Sequence, residues 1–161
     1  MIKSIYLGGG CFWGMQELFR KLPGVVQTRV GYSGGNIKNP TYENHEGYAE
    51  VLGIKYDTGI ISFVEILDFF FQIHDPTTLN QQGNDRGRSY RSVIFYSNAF
   101  EKKKAEEFIK IVDESGRWQK SVVTTLEPFE KFYLAEDYHQ DYLQKYPDGY
   151  TCHFIRFGTY L

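Results

Sequence analysis

Short apolar runs alternate with glycine-rich or polar turns along this chain, and the spacing of the apolar positions differs between runs. Residues 3–7 are β-prone and precede Gly8–Gly10, whereas apolar positions from Cys11 to Leu22 recur at helical spacing until Pro23. Later runs of both kinds follow. They predict strands over 25–32, 49–56, 90–96 and 122–126, and helices over 63–74, 99–114 and 135–145.

The order of these elements predicts one α+β domain. Ser62 and Asn98 are placed to cap two of the helices, and Asp75-Pro76 ends the first of them. Through residue 96 the order is β-α-β-β-α-β, and an α-β-α segment follows it. We therefore expect residues 1–161 to form a single domain, a ferredoxin-like split βαβ two-layer sandwich with a C-terminal extension.

The composition narrows the function classes. With 161 residues, 42% of them hydrophobic, the chain has material for a conventional core. No apolar run is long enough to span a membrane, and the start at Met1 lacks a secretory signal, so we expect a cytoplasmic monomer. The net charge is −2, and glutamates flank the densest basic cluster, Lys102–Lys104. This pattern does not suit a nucleic-acid-binding protein.

Two cysteines carry the candidate chemistry. Cys11 and Cys152 form no C-x-x-C pair or His/Cys cluster, so we expect neither a metal site nor, in a reducing cytosol, a permanent disulfide. Cys11 lies between a glycine-rich turn and a helix start, where amides and the helix dipole favour an anion and lower the thiol pKa.

Gly8–Gly10 and Gly14 flank Cys11, and we expect them to leave room for a substrate. The alternative is that Cys11 is a buried, unreactive cysteine that packs as a small hydrophobic residue. From its position alone, the two interpretations are evenly matched.

The motif around Cys11 resembles the active-site motif of the A-class peptide methionine sulfoxide reductases. The sequence Gly10-Cys11-Phe12-Trp13-Gly14 carries this resemblance, and further segments match in the family's order over nearly the whole chain. These segments are Pro40–Tyr42, Ala49–Val51, His74–Pro76, Asn80–Gly87, Tyr90–Ser92 and Ala135–Gln140. The resemblance implies reduction of methionine S-sulfoxide, free or in oxidised proteins, to methionine.

The resemblance also implies roles for individual residues. Cys11 attacks the sulfoxide sulfur and becomes a sulfenic acid. Glu50 matches the acid that protonates the oxygen, and an apolar surround would raise its pKa. Tyr42 and Tyr90 match two tyrosines that donate hydrogen bonds to that oxygen. Without the motifs, Glu50 would be interpreted as a surface carboxylate and the tyrosines as packing residues.

Three further residues match the family's substrate-binding positions. Phe12 and Trp13 correspond to an apolar box for the S-methyl group, with ordinary core packing as the alternative. Asp85 resembles a residue that supports the site through hydrogen bonds. His139 borders the site in the family, but a histidine on a helix surface is an equal alternative, so it stays outside the catalytic set.

Cys152 lies close to where many family members carry a resolving cysteine. By this resemblance it converts the Cys11 sulfenic acid into a disulfide that thioredoxin opens, and no cofactor beyond that external thiol reductant is expected. An unreactive C-terminal cysteine is the alternative. In that case the protein would follow the single-cysteine mechanism, in which an external thiol reduces Cys11 directly.

The chain departs from the family pattern at three places. Tyr48 stands where the family usually has a histidine, so the role of that histidine is absent or passes to Tyr48. The loop Tyr42–Gly47 is shorter than in many members. Thr151 is an extra residue before Cys152, and the apolar tail after it replaces the usual glycines, which weakens the assignment of Cys152.

Two competing functions remain open at this point. A thiol peroxidase would use Cys11 on peroxide but would leave the aromatic box unexplained. A binding module or redox sensor would capture oxidised methionine without turnover. The joint presence of four residues favours the reductase over both: Cys11, Glu50, Tyr42 and Tyr90.

Overall fold

A six-stranded sheet forms the centre of the computed structural model, which describes residues 1–161. In chain order the main elements are β1 (Ile2–Gly9), α1 (Phe12–Phe19), β2 (Val25–Ser33), β3 (Ala49–Asp57), α2 (Phe63–Ile73), β4 (Gln81–Gln82), β5 (Asp85–Arg86), β6 (Ser92–Tyr96), α3 (Ala99–Glu114), β7 (Thr125–Pro128), β8 (Tyr133–Leu134) and α4 (Tyr142–Lys145). The α+β class is confirmed. No helix has both the length and the apolar character required to cross a membrane.

The strand order places the ends of β1 and β3 beside each other. The sheet runs β7-β6-β1-β3-β2-β8, and its pairs are antiparallel except for β6 with β7. β1 thus lies between β3 and β6, and Leu7 of β1 pairs with Leu52 of β3. Strands β4 and β5 form a separate hairpin. The turn after β1 and residue 50 of β3 are consequently neighbours in space.

Helices α1, α2 and α3 contribute apolar side chains to one continuous core. The core contains 23 buried residues, among them Phe12 and Phe19 of α1, Phe70 of α2 and Phe108 of α3. Each large apolar side chain that is fully buried contributes about 1.5–3 kcal/mol. The element that follows Cys11 is therefore held rigidly against the sheet.

The two predicted helix caps are confirmed. The Ser62 hydroxyl accepts a hydrogen bond from the Glu65 amide, and the Glu65 carboxylate accepts one from the Ser62 amide, both at 3.1 Å. Asn98 accepts from the Glu101 amide at 2.9 Å. Each cap satisfies amides that the first turn of a helix leaves without partners.

The continuous helix predicted over 135–145 is wrong. The segment instead contains a short 3-10 turn at Asp137–His139 and the single turn of α4, with Asp141 between them at φ 56°. The Asp141 amide donates to the Gln16 side chain of α1 at 2.9 Å, a partner outside its own segment. An α-helix cannot pass through a residue in the left-handed region, so the helix is interrupted there.

Long-range side-chain bonds hold this segment in its interrupted form. Gln140 accepts from the Val30 amide at 3.0 Å and donates to the Val30 carbonyl at 2.9 Å, as a neighbouring strand would. Glu136 accepts from the Tyr32 hydroxyl and the Tyr42 amide, each at 2.9 Å. These bonds extend the edge of the sheet and outweigh the local helical periodicity.

The C-terminal tail, residues 146–161, has no regular secondary structure but is docked on α2. The Arg156 amide donates to the Gln72 carbonyl at 2.8 Å. The buried Asp68 carboxylate accepts from the Thr159 hydroxyl at 2.6 Å and from the Tyr160 amide at 2.7 Å. These contacts place Cys152 in an anchored segment.

Candidate active site

The turn between β1 and α1 presents Cys11 at the N-terminus of a helix. Gly10 has φ 94°, a conformation that favours glycine, and a Cβ at this position would overlap the Gln82 side chain. Cys11 is the N-cap residue of α1, and 7% of it is exposed. The strand-turn-helix arrangement predicted for Cys11 is therefore present, with the thiol largely buried.

Glu50 projects from β3 toward the same helix terminus. Its Oε1 accepts a hydrogen bond from the Phe12 amide at 3.1 Å, and only 2% of the residue is exposed. Burial raises the pKa of Glu50 to about 8, although the Phe12 bond opposes the shift. At neutral pH this carboxyl group is mostly protonated, so Glu50 is a buried acid and not a surface carboxylate.

The resting Cys11 thiol does not have the lowered pKa expected from its position. Burial raises the pKa of Cys11 well above its ordinary value, and the Glu50 carboxylate raises it further. The Trp13 amide at the helix terminus acts in the opposite direction but is outweighed. The resting thiol is consequently neutral, and protonation of Glu50 removes one of the charges that disfavour a thiolate.

Two tyrosine side chains lie within electrostatic reach of Glu50 and Cys11. Burial and the Glu50 charge raise the pKa of Tyr42 to about 12, and the same causes raise the pKa of Tyr90 further. Both hydroxyls therefore keep their protons. Neither hydroxyl is engaged in a hydrogen bond to the protein, so both are free to donate to a bound ligand.

An aromatic wall flanks the thiol. Trp13 stacks on Tyr142 with ring centroids 3.8 Å apart, and its Nε1 donates to His139 Nδ1 at 3.0 Å. Phe12 contributes differently, because it is almost fully buried and belongs to the core cluster. The position of Phe12 suits both core packing and a place in the apolar box for the S-methyl group. Trp13 is only half-buried, so part of its ring stays accessible.

His139 and Glu136 also lie at the site, although neither was among the predicted site residues. His139 has no exposed surface and packs against the Tyr42 ring with centroids 4.4 Å apart. Because Nδ1 accepts from Trp13, the proton of the neutral ring lies on Nε2, which has no protein partner. The motif Ala135–Gln140 indicated that these two residues lie near the site. The helix predicted over 135–145 instead favoured a surface position for His139.

Asp85 and Cys152 meet on the other side of the Cys11 turn. Asp85 accepts a hydrogen bond from the Tyr150 hydroxyl at 3.1 Å. Cys152 is half-buried, and its Sγ lies 3.9 Å from the carbonyl oxygen of Gln82, whose side chain packs on the Gly10 backbone. The charges of Asp85 and Cys152 are among those that raise the pKa of Cys11. The segments that carry these two residues pack against the turn at Gly10 through Gln82 and His153.

Tyr48 does not take a place in this cluster. Its ring packs against Gly35 and meets Tyr133 edge-on, and its hydroxyl donates to the Ile37 carbonyl. The side chain is buried in the core. The substitution of tyrosine for the usual family histidine therefore serves packing of the Ser33–Ile37 turn.

The space beside Gly14 is occupied by protein. A Cβ at Gly14 would overlap the side chains of His153 and Thr151, and one at Gly10 would also contact His153 at 3.5 Å. The expectation that these glycines leave room for a substrate is therefore wrong. They make room for the C-terminal segment that carries Cys152.

Open space adjoins the site on the side of Tyr42. A groove of about 460 Å³ is bordered by Tyr42, His45, Arg88 and Ser89. His45 bridges the two walls of this groove, since its Nε2 lies 2.8 Å from the Ser89 hydroxyl. The chain contains no cluster of three or more His, Cys, Asp or Glu side chains arranged to hold a metal ion.

Comparisons with known proteins agree with this geometry. The family model described as "Peptide methionine sulfoxide reductase" matches residues 3–158. The MsrA protein of Mycolicibacterium paratuberculosis is 59% identical over 94% of this chain and 89% of its own length. The reduced form of Mxr1 from Saccharomyces cerevisiae superposes with a TM-score of 0.90 at 37% identity, over 97% of this chain and 93% of its own.

A structure of Mxr1 in complex with Trx2 is also similar. Its TM-score is 0.68 at 29% identity, over 97% of this chain and 91% of that one. The matched regions therefore include both the turn at Cys11 and the docked C-terminal tail.

The buried acid makes a prediction about stability. Glu50 keeps its proton up to about pH 8 in the folded state but ionises near its ordinary pKa of 4.5 when unfolded. The contribution of the protonated Glu50 carboxyl group to the free energy of unfolding is complete below pH 4.5. It is lost as the pH rises to about 8. Glu50→Gln should thus stabilise the fold above pH 8 by a few kcal/mol and have little effect near pH 4. Urea unfolding across this range measures the difference, with the exposed Glu46→Gln as control; a pH-independent difference contradicts the prediction.

The filled space at Gly14 makes a second prediction. Alanine favours helices by about 1 kcal/mol relative to glycine, but overpacking costs about 1–3 kcal/mol. Because the new methyl group would overlap His153 and Thr151, Gly14→Ala should destabilise the protein by up to about 2 kcal/mol. The penalty should shrink in a His153→Ala background. Chemical denaturation of wild type, the two single variants and the double variant tests the contact. A Gly14→Ala variant that is more stable than wild type refutes it.

Proposed function

The chain belongs to the peptide methionine sulfoxide reductase family, an oxidoreductase family that reduces methionine sulfoxide, and we propose that Cys11 and Glu50 perform the reaction on the S-sulfoxide. The observation that carries the proposal is the bond between the buried Glu50 carboxyl group and the amide next to Cys11. That bond places a protonated acid beside a thiol. A sulfoxide requires both, because its sulfur must be attacked while its oxygen is protonated.

The first step transfers the oxygen atom. The Cys11 sulfur attacks the sulfoxide sulfur and forms an S–S bond as the oxygen is protonated. The S–O bond of the substrate then breaks, the hydroxyl oxygen bonds to the Cys11 sulfur, and the S–S bond breaks with its electron pair left on methionine. Two electrons thus pass from Cys11 to the methionine sulfur. Cys11–SH and the sulfoxide become Cys11–SOH and methionine, so atoms and charge balance. Glu50 supplies the proton to the oxygen, and the proton that leaves the thiol restores Glu50.

The tyrosines and the aromatic wall stabilise the charges that develop. The free hydroxyls of Tyr42 and Tyr90 donate to the sulfoxide oxygen, and their raised pKa values keep them as donors. Trp13, supported by Phe12, faces the S-methyl group and the sulfur, which becomes cation-like during attack. Asp85 supports the site through its hydrogen bond from Tyr150, and the buried His139 supports it by accepting the hydrogen bond from Trp13.

The groove beside Tyr42 supports action on methionine within peptides. It begins at a residue that we assign to oxygen recognition, and its other walls come from the short loop after Tyr42 and from Arg88 and Ser89. Residues that flank an oxidised methionine have space there. We therefore include oxidised proteins as well as free methionine sulfoxide among the substrates.

Recycling uses Cys152 and a dithiol reductant. Cys152 precedes His153, which binds the turn that carries Cys11, and the similar Mxr1 was solved in complex with Trx2. We assign Cys152 as the resolving cysteine and thioredoxin as the reductant that opens the resulting disulfide. No other cofactor enters the cycle.

Several expectations from the sequence stay predictions. The order β6-β1-β3-β2 supports the ferredoxin-like description of the first part of the chain. We also propose one catalytic domain over residues 1–161, a monomeric state and a cytoplasmic location. The peroxidase and the binding module receive no supporting observation from the site.

An epimer-resolved assay tests the proposed function. With dithiothreitol as reductant, the protein should convert dabsyl-methionine S-sulfoxide to dabsyl-methionine and leave the R-epimer unchanged. Cys11→Ser should abolish the conversion, because a hydroxyl oxygen is a far weaker nucleophile toward sulfur than a thiol sulfur. Chromatography quantifies both epimers, and Cys152→Ser serves as the cysteine control that keeps activity with dithiothreitol. Turnover by Cys11→Ser, or faster turnover of peroxide than of sulfoxide, would overturn the proposal.

The acid role of Glu50 predicts a specific pH profile. At saturating substrate, Glu50→Gln should slow single-turnover methionine release by about 10²- to 10⁴-fold, because the amide cannot deliver a proton. The wild-type rate should fall as the pH rises through about 8, where Glu50 ionises, and the variant should lack this fall. Rapid-quench measurements at several pH values decide the question. Equal rates and identical profiles would place the proton donor elsewhere.

A further inference from the structure

A buried histidine lies directly after Cys152 and contacts the turn that carries Cys11. His153 is 6% exposed, and its Nε2 lies 2.6 Å from the carbonyl oxygen of Gly9. A carbonyl only accepts, so Nε2 carries the proton and donates, while Nδ1 faces the Cys152 sulfur at 3.9 Å. One ring therefore touches the backbone before Cys11 and the side chain of Cys152.

The first turn of α1 is shaped to receive this ring. A side chain at Gly14 would overlap His153 and Thr151, so the absence of a Cβ there creates the notch in which both lie. The Thr151 hydroxyl in turn accepts from the His153 amide at 3.1 Å, which fixes the backbone on the N-terminal side of the ring. Burial lowers the pKa of His153 to about 4, so the ring remains neutral in this notch at physiological pH.

The segment on both sides of Cys152 is also anchored. Upstream, the Tyr150 hydroxyl donates to Asp85. Downstream, the Arg156 guanidinium donates to the Ile73 carbonyl at 2.7 Å, and Arg117 donates to the Gly158 and Thr159 carbonyls, also at 2.7 Å. His153 lies between these anchors and is the member that binds the Cys11 turn itself.

We propose that His153 is a positioning residue for recycling, which fastens Cys152 to the Cys11 turn so that their disulfide forms while the tail stays docked. This inference rests on the proposed function of the two cysteines. The Cys152 sulfur attacks the sulfur of Cys11–SOH, the S–O bond breaks, and the hydroxyl leaves with the Cys152 proton as water. The products are one disulfide and one water molecule, and no other reactant takes part.

A mechanism in which the tail must undock predicts the opposite change in the rate of disulfide formation when the His153 bond is removed. If the tail had to leave its docked position before Cys152 reached Cys11, the bond from His153 to Gly9 would hinder disulfide formation, and removing it would accelerate that step. If the docked position is the reactive one, removing the bond lowers the effective concentration of the resolving thiol and slows the step. The direction of the change therefore decides between them.

The test compares three variants in a single turnover without reductant. His153→Ala removes the ring, His153→Gln keeps a donor that reaches toward Gly9, and Ile155→Ala alters an exposed neighbour as the matched control. Rapid quench with dimedone, followed by mass spectrometry, gives the rates of methionine release, of sulfenic acid trapping and of Cys11–Cys152 disulfide formation. The ratio of disulfide formation to methionine release is the deciding quantity.

We expect this ratio to fall at least tenfold in His153→Ala, with sulfenic acid trapped in its place, and to remain within about threefold of wild type in the other two variants. Thioredoxin-supported turnover should fall with the ratio, whereas dithiothreitol-supported turnover should fall less. An unchanged or higher ratio in His153→Ala overturns the inference, as does an equal loss in His153→Gln.

The design separates this inference from the proposed function. If wild type releases no methionine in the first turnover, the function of Cys11 fails. If it releases methionine but forms no disulfide, Cys152 is not the resolving cysteine, and the inference about His153 fails with that assignment. Thermal unfolding of each variant identifies a general loss of structure, which would reduce methionine release and disulfide formation together and leave their ratio unchanged, a result that also counts against positioning.

Discussion

The hydrogen bond from the Phe12 amide to the Glu50 carboxyl group is the contact on which the site depends. It joins the first turn of α1 to the middle of the sheet, and it lies where water is excluded. The same burial keeps a proton on Glu50 and keeps the Cys11 thiol neutral. The resting site is therefore uncharged at its centre, and a polar substrate must supply the interactions that the buried acid and thiol lack.

The rest of the fold brings distant parts of the chain to this contact. Glu136 accepts a hydrogen bond from the Tyr42 amide and so fixes the loop that carries Tyr42. The hairpin β4–β5 supplies Asp85, and the C-terminal tail supplies Cys152 and His153. Almost every group around the thiol is thus positioned by a partner far away in sequence. This explains why glycine is required at Gly10 and Gly14, where these segments cross the Cys11 turn.

Sequence patterns predicted the elements whose cause is local. Alternation and helical spacing located the long strands and helices, and Ser62 and Asn98 marked two helix starts. The Cys11 motif located a strand-turn-helix arrangement that is present, and the motif at Glu50 pointed to a carboxyl group that proved to be buried. The prediction failed for 135–145, because Glu136 and Gln140 bind residues of β2 and its neighbouring loop, which spacing cannot show. It also failed for the Cys11 pKa and for the room beside Gly14, since both depend on segments that pack there only in the folded protein.

The docking of the tail on α2 has a consequence for how the protein matures during synthesis. The sheet strands β1, β2, β3 and β6, together with Cys11 and Glu50, are translated before residue 97 and can assemble while later residues are still being added. Asp68 receives Thr159 and Tyr160 from a part of the chain that is translated later. Until that tail is added, the Cys11 turn lacks His153 and Thr151, which fill the notch at Gly14 in the folded protein. The turn is thus made before the segment that packs against it.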